Sequence, residues 1–547
     1  MDTSVRWWDG AVIYQIYPSS FCDTNGDGVG DLPGITQKID YIAGLGVDAI
    51  WISPFYLSPM KDFGYDVADY RVVDPRYGSN EDFDRLLARA HDAGLKVVVD
   101  MVICHTSDQH PWFRESRQDL TNAKADWYVW RDPKPDGTEP NNWLGFFGGH
   151  AWAWDHHRRQ YYLCHFLDEQ PNLNYYNREV RDAILDTCRF WLHKGVDGFR
   201  MDAIATLMFD PELRDNPSRS PDDPYLQGAL GRMPFGRQHN FVHQLNKQPE
   251  TGGFIRELRQ LADEYGAFLL GEVGGDDGAL ITREYVGDDL LHTGYSFDLL
   301  DWDGMSPERI KKVVKHTQDL LQDNEITYAS GNHDMSRVLS TWGRSAQGTE
   351  YEQDFVCMAN ALIVSLPGST CIYQGEELGL ENAEVPFEAL QDPYGIKFYP
   401  EFPGRDGCRT PIPWVQDAPN AGFSTGKPWL PIDPRHLSKA VNVQEEHDGS
   451  TLRRVRHFLN WRRQEPAMRR GASFGLLESP ADVIAGIREL DAGRMLCVFN
   501  MSAEPRQFQL PEGAWTPEAD SGFTVRLTDG AVDLAPYGSA FLRGRNG

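Results

Sequence analysis

Short, mostly apolar runs alternate along this chain with longer stretches whose apolar residues recur every three or four positions. Residues 11–17, 49–53, 96–102, 196–204, 268–273, 295–300, 326–330 and 369–374 have the length and β-branched content of strands. The 3.6-residue pattern predicts helices over 32–44, 79–94, 178–194, 254–265, 306–321 and 353–365, and a closing helix over 451–464. The second of these carries its own start and stop signals. Ser79 or Asn80 caps it, Glu81 and Asp82 favour its first turn, and Gly94 ends it. Strands that are apolar on both faces belong in a parallel sheet covered by helices. Eight such strands alternating with helices therefore predict an α/β fold built on a closed (β/α)8 TIM barrel.

The rhythm breaks three times. Residues 108–174 are rich in Trp, Pro, Asn and Gly and predict a small subdomain inserted after the third strand. Residues 205–253 form a polar, Pro-rich excursion, and 380–443 a long Pro/Gly-rich loop. After residue 471 come short strands with turn pairs such as Asp529-Gly530, which predict an antiparallel β-domain. The expected limits are 1–103 with 175–470 for the barrel, 104–174 for the insertion, and 471–547 for the C-terminal domain.

Composition narrows the function classes. The chain has 547 residues, 41% of them hydrophobic, enough for a large core. Its 16 Trp, 22 Tyr and 27 Phe suit stacking on sugar rings and suit core packing equally. The formal charge, 53 − 81 = −28, disfavours nucleic acid and anionic membranes as partners. The N-terminus lacks the pattern of a signal peptide, and no apolar stretch is long enough to span a bilayer. The eight cysteines are scattered, without a C-x-x-C pair, which predicts reduced thiols and a cytoplasmic setting. Nothing in the sequence specifies an oligomeric state.

Two clusters carry candidate chemistry. Arg200 and Asp202 stand two apart in the fourth strand and so share a face. They form either a structural ion pair or a carboxylate held ionised as a nucleophile. His105, Glu272, His333 and Asp334 lie at other strand ends, the rim where such barrels place their chemistry. Carboxylates converging there raise one another's pKa, so that one can stay ionised while another holds a proton. Cleavage of a glycosidic bond needs that division, with a separation of roughly 5–5.5 Å in a retaining enzyme. The second cluster is a tight loop offering the side chains of Asp23, Asn25, Asp27 and Asp31 and the carbonyl of Val29. These hard oxygens suit Ca2+ or Mg2+. The loop opens like an EF-hand, but Gly34 stands where the bidentate Glu would be. A plain turn built on Asx side chains is the alternative.

Five ordered motifs together resemble glycoside hydrolase family 13, the α-amylase superfamily, in its α-glucosidase and oligo-1,6-glucosidase branch. They are 100–105 (DMVICH), 170–174 (QPNLN), 198–202 (GFRMD), 271–272 (GE) and 332–334 (NHD), within similarity over about residues 5–470. The resemblance implies that Asp202 is the nucleophile, Glu272 the acid/base and Asp334 the transition-state stabiliser. Arg200 would hold Asp202 ionised, His105 and His333 would bind sugar hydroxyls, and Tyr65 would stack under the ring. Asp62 and Arg409 resemble the pair that closes on the non-reducing end and makes the pocket exo-acting. Phe147 and Phe166 are candidate walls. Cys104 stands where relatives with a calcium site in the insertion carry Asn, which places any metal in the Asp23–Asp31 loop. Ala203, where a Val accompanies α-1,6 cleavage, points to maltose-like α-1,4 substrates. The implied activity is a retaining α-glucosidase on small oligosaccharides, needing no cofactor for chemistry and capable of transglucosylation. Trehalose synthase-like or sucrose-acting glucosyl transfer, and a non-catalytic transporter-associated homologue, are the alternatives.

Overall fold

The eight expected strand regions all pair in parallel within a single closed barrel. The structure, a computed structural model, describes residues 6–220, 222, 240–245, 250–274, 278–300, 304–322, 325–470, 473–490 and 493–545. The barrel strands are β1 (Val12–Ile16), β2 (Ala49–Ile52), β3 (Lys96–Met101), β4 (Gly198–Met201), β5 (Phe268–Val273), β6 (Thr293–Ser296), β7 (Glu325–Ala329) and β8 (Ser369–Tyr373). Each pairs with its sequence neighbours, and β8 closes on β1 through Val12↔Thr370 to Gln15↔Tyr373.

Some boundaries differ from the sequence pattern. The first helix is two, Leu32–Gln37 and Ile39–Gly44, because Lys38 leaves helical geometry between them. The strand expected at 295–300 lies earlier, at Thr293–Ser296, where Thr293 Oγ1 bonds Glu325 O and Thr327 Oγ1. The next residues, Phe297 and Leu300, join the barrel interior from a turn and so keep the apolar signal without the strand. β4 stops at Met201, since Ala203 adopts a left-handed backbone (φ 42°) and opens a 3-10 turn. The polar stretch 205–253 lies partly outside the described residues.

The barrel interior changes character from bottom to top. Ile13, Trp51, Val98, Phe268, Leu270 and Cys371 fill its lower part, with Trp8 stacked on Phe268. Two residues further up the same faces stand Gln15, Asp100, Arg200 and Glu272. Strand register sets Asp100 beside Arg200. An apolar floor below charged groups gives those groups few competing waters, which strengthens every electrostatic contact among them.

Between β3 and β4 the chain forms a three-stranded sheet of Trp130–Arg131, Trp152–Asp155 and Gln160–Leu163. After the barrel, a five-stranded antiparallel sheet and a three-stranded one enclose a core that includes Val498, Phe508, Val532 and Leu542. The Asp529-Gly530 pair turns with both φ values positive, 49° and 81°, as a two-residue hairpin between paired Thr528 and Ala531 requires. The helix Thr451–Gln464 joins this domain to the barrel by packing Phe458 and Trp461 on Phe541. Among the described residues no helix is long and apolar enough to cross a membrane. All eight cysteines are buried and unpaired.

Candidate active site

Arg200 lies 1% exposed at the centre of the barrel mouth, over the ring of Trp51. A guanidinium that deep is stable only with opposite charges around it. It has three. Nη1 donates to Asp100 Oδ1 (2.9 Å) and to Asp202 Oδ1 (2.5 Å), and Nη2 sits 2.7 Å from Glu272 Oε2. The expected pairing of Arg200 with Asp202 is therefore present, and Glu272 of β5 meets the other end of the same group. Glu272 Oε2 also accepts the Ala203 N–H at 2.9 Å. The left-handed turn at Ala203 aims that N–H into the site.

These carboxylates do not ionise alike. Burial raises Asp202 to about 7, with Arg200 opposing and Asp100 adding to the rise. Burial raises Glu272 to about 8, again against Arg200 and with the help of Asp202 and Asp334. Asp100 rises to about 6 by burial, checked by Arg200. Asp334 goes the other way. Burial alone would raise it, but His333, Arg405 and Arg409 together hold it well below the usual range. His333 is itself pushed down to about 3 by burial, so at neutral pH the two arginines keep Asp334 ionised. The mouth thus sets Glu272, raised furthest, against Asp334, held well below the usual range.

Asp334 is set by a tight turn after β7. Asn332 Oδ1 accepts the N–H groups of Asp334 and Met335, both at 2.8 Å, while its amide donates to Tyr295 Oη. His333 contacts Gln15 through Nδ1 (2.7 Å) and Tyr65 Oη through Nε2 (2.5 Å), and the Tyr65 ring lies nearly parallel to it. Tyr65 Oη also donates to Asp100 Oδ2 at 3.1 Å. His105 Nε2 reaches Tyr65 O at 2.9 Å, and burial lowers its pKa to about 4. Phe166 stands beside His105, ring centres 5.3 Å apart. Phe147 is packed against Tyr394 and supports the guanidinium of Arg405 on its face at 4.8 Å.

One expected pairing is different in the structure. Asp62 is paired with Arg405, not Arg409: Arg405 Nη2 donates to Asp62 Oδ1 at 2.9 Å. Arg409 instead donates to Asp334 Oδ1 (2.7 Å) and His333 O (2.6 Å). Arg405 further bonds both oxygens of Asp392 and, at 3.1 Å, Asp334 Oδ1. Both arginines come from the long loop after β8, where no periodicity tells which of two cations four residues apart reaches Asp62. Asp100 opens the motif at 100–105 but has no role assigned by the sequence pattern. Its opposition to Arg200 would have required knowing that β3 and β4 are neighbours.

The Asp23–Asp31 loop lies apart from these groups in its bonding. Asp23 accepts the N–H groups of Asn25, Gly26 and Gly28, together with Ser424 Oγ–H. Asp27 accepts from Val29 N–H, and Asp31 from Thr24 and Gly34 N–H, which caps the following helix. The donor types suit a hard cation. Among the described residues, however, no three His, Cys, Asp or Glu side chains gather as metal ligands.

A parallel barrel whose strand ends bring three carboxyls onto one guanidinium, with a fourth held ionised beside them, has the design of a glycoside hydrolase. Residues 15–471 match the family model for the alpha amylase catalytic domain. The chain is 47% identical over 540 residues to a probable alpha-glucosidase of Rhizobium meliloti (strain 1021), covering 98% of this chain and 97% of that one. It is 37% identical to an oligo-1,6-glucosidase of Heyndrickxia coagulans, over 93% and 95% of the two chains. The crystal structure of an alpha-glucosyl transfer enzyme, XgtA, superposes with a TM-score of 0.93 at 50% identity, covering 99% of this chain and all of the other. The protein belongs to the α-amylase family, glycoside hydrolase family 13, and is an enzyme of that family.

Proposed function

We propose that the protein is a retaining, exo-acting α-glucosidase. It releases α-glucose from the non-reducing ends of short, maltose-like α-glucosides. The observation that carries this reading is the single Arg200 guanidinium contacting both Asp202 and Glu272. Asp202 Oδ1 is occupied by Arg200, which leaves Oδ2 to attack the anomeric carbon. Glu272 Oε2 faces two donors, so its proton belongs on Oε1, from which it passes to the glycosidic oxygen as the C1–O bond breaks. The covalent glucosyl ester on Asp202 is then opened by water, whose proton returns to Glu272. Asp334, kept anionic by its arginines, stabilises the positive charge that develops on the ring.

Asp62 with Arg405, and His105 and His333, are suited to hold sugar hydroxyls, while Tyr65, Phe147 and Phe166 shape the pocket. The small Ala203 side chain next to the nucleophile supports α-1,4 substrates. A glucosyl ester can equally be opened by a sugar or alcohol hydroxyl, and the 50% identity to an alpha-glucosyl transfer enzyme favours transfer as a second outcome. The cation expected in the Asp23–Asp31 loop is a proposal resting on donor chemistry alone. The unpaired thiols support a cytoplasmic setting.

Incubation with maltose, isomaltose, sucrose and trehalose, followed by proton NMR of the first products, tests the reading. Maltose cleaved fastest with α-glucose appearing first is expected. β-Glucose appearing first would refute retention, and a sucrose or trehalose isomer as the main product would assign the enzyme to the isomerising alternative. Inertness toward every α-glucoside would favour the non-catalytic homologue.

A further inference from the structure

Behind the β7 exit lies a buried carboxyl that the mechanism above does not use. Glu376 follows β8 and is 2% exposed. Its neighbour Glu377 is fully satisfied, with Tyr14 and Tyr41 hydroxyls on Oε1 (2.7 and 2.8 Å) and the Gly375 N–H on Oε2 (2.8 Å). Glu376 is not. Oε2 receives long contacts from Ser330 Oγ and Tyr373 N–H, both 3.4 Å, and the Arg337 charge and the Val338 N–H also act on the carboxyl. Oε1 has no hydrogen-bond partner. A polar atom buried without a partner costs stability and calls for another reason to be there.

That oxygen lies against Gly331, the first residue of the turn that carries Asn332, His333 and Asp334. A methyl group at Gly331 would overlap Glu376 Oε1, with Cδ 3.3 Å away. Gly331 is not among the glycines with positive φ. A side chain at position 331 would therefore have to displace the Glu376 carboxyl, the side-chain group nearest that space. Ser330, one residue earlier, is the group that touches Oε2. The carboxyl thus braces two consecutive residues at the root of the turn.

We infer that Glu376 is a positioning residue. Its side chain, wedged against Gly331, sets how far the β7 exit reaches into the barrel mouth and so where Asp334 stands. The inference rests on the proposed role of Asp334 and adds a residue that touches no substrate. Arg337, whose charge acts on the Glu376 carboxyl, bonds Gln374 O (2.8 Å) and Cys408 O (3.0 Å). That contact links the brace to the loop carrying Arg405 and Arg409, the cations on Asp334.

A suppression test distinguishes a positioning role from a merely structural one. Wild type, Gly331→Ala, Glu376→Ala, Glu376→Gln and the double variant Gly331→Ala/Glu376→Ala are compared for kcat and KM on p-nitrophenyl α-glucoside, and for Tm. A displacement of Asp334 by about 1 Å should lower kcat of Gly331→Ala on the order of 100-fold with little change in KM. The double variant, with the obstructing carboxyl gone, should recover kcat roughly tenfold over that single variant, a non-additivity that only direct contact explains. Glu376→Gln, which keeps the shape, should stay within about threefold of wild type, and Glu376→Ala should fall below it. A double variant no better than Gly331→Ala, or Glu376→Ala with lowered Tm and unchanged kcat, would overturn the inference. If wild type were inert on α-glucosides, the failure would lie with the proposed function. Recovery of the Gly331→Ala loss of Tm in the double variant would still support the wedge, and its absence would refute it.

Discussion

Replacing Arg405 by lysine keeps the charge and removes the fork, and the structure gives the size of the effect. Four short contacts leave this one guanidinium: Nε and Nη2 to Asp392 (3.1 and 2.8 Å), Nη2 to Asp62 (2.9 Å) and Nη1 to Asp334 (3.1 Å). A lysine has a single nitrogen at the end of its chain and cannot reach three carboxylates that surround a planar group. Asp392 is the innermost of them, so the ammonium should settle there, leaving Asp62 and Asp334 each one charge-assisted bond short. At about 1.5–3 kcal/mol for each such bond, and with Arg409 still serving Asp334, a net loss of about 2–4 kcal/mol is expected. That corresponds to a fall in kcat/KM of about 30- to 1000-fold. The Asp62 share should raise KM, because a buried carboxylate losing its cation takes up a proton and stops accepting from sugar hydroxyls. The Asp334 share should lower kcat. Steady-state kinetics on p-nitrophenyl α-glucoside, with Tm recorded for the same preparations, reads both. A folded Arg405→Lys enzyme within about threefold of wild type would refute the idea that one planar cation organises this side of the pocket.

The pH dependence follows from the raised carboxyls. kcat/KM should rise as Asp202 loses its proton and fall as Glu272, raised to about 8, loses its own. Glu272→Gln should abolish the alkaline fall on an aryl glucoside with a good leaving group; an unchanged profile would remove Glu272 from the acid role. Because both folded-state values lie above those of the unfolded chain, each group contributes stability at acid pH that is lost as pH rises through its folded pKa. Glu272→Gln should therefore raise Tm at about pH 8 and make little difference at about pH 5; equal shifts at both would contradict the raised pKa. For the Asp23–Asp31 loop, EDTA should lower Tm and added Ca2+ or Mg2+ should restore it if a cation is held there. A melt indifferent to both leaves the loop as a turn held by its own N–H groups.

The barrel was legible because its strands are apolar on both faces and its helices are not, a contrast that survives without knowledge of neighbours. Arg200 and Asp202 were legible for a similar reason: two charges at strand spacing in an apolar run have few explanations. The hairpin at Asp529-Gly530 was fixed by local backbone preference alone. What could not be read depended on long-range geometry. Asp100 meets Arg200 only because β3 and β4 are adjacent and in register. The choice between Arg405 and Arg409 for Asp62 depends on the path of a loop without periodicity. The break at Lys38 and the early end of β6 are local departures that tertiary packing imposes on patterns otherwise continuous. The wedge of Glu376 on Gly331 joins two motifs that each look self-contained in the sequence.

The central claim is that Asp202, held by Arg200 opposite a protonated Glu272, forms a covalent bond to glucose. Treatment with 5-fluoro-α-glucosyl fluoride slows the second step more than the first and should leave the ester in place. Intact mass spectrometry should then show one added fluoroglucosyl group, and peptide mapping should find it on Asp202. A label on any other residue, or turnover of the probe by an enzyme that never acquires a label, would contradict the account.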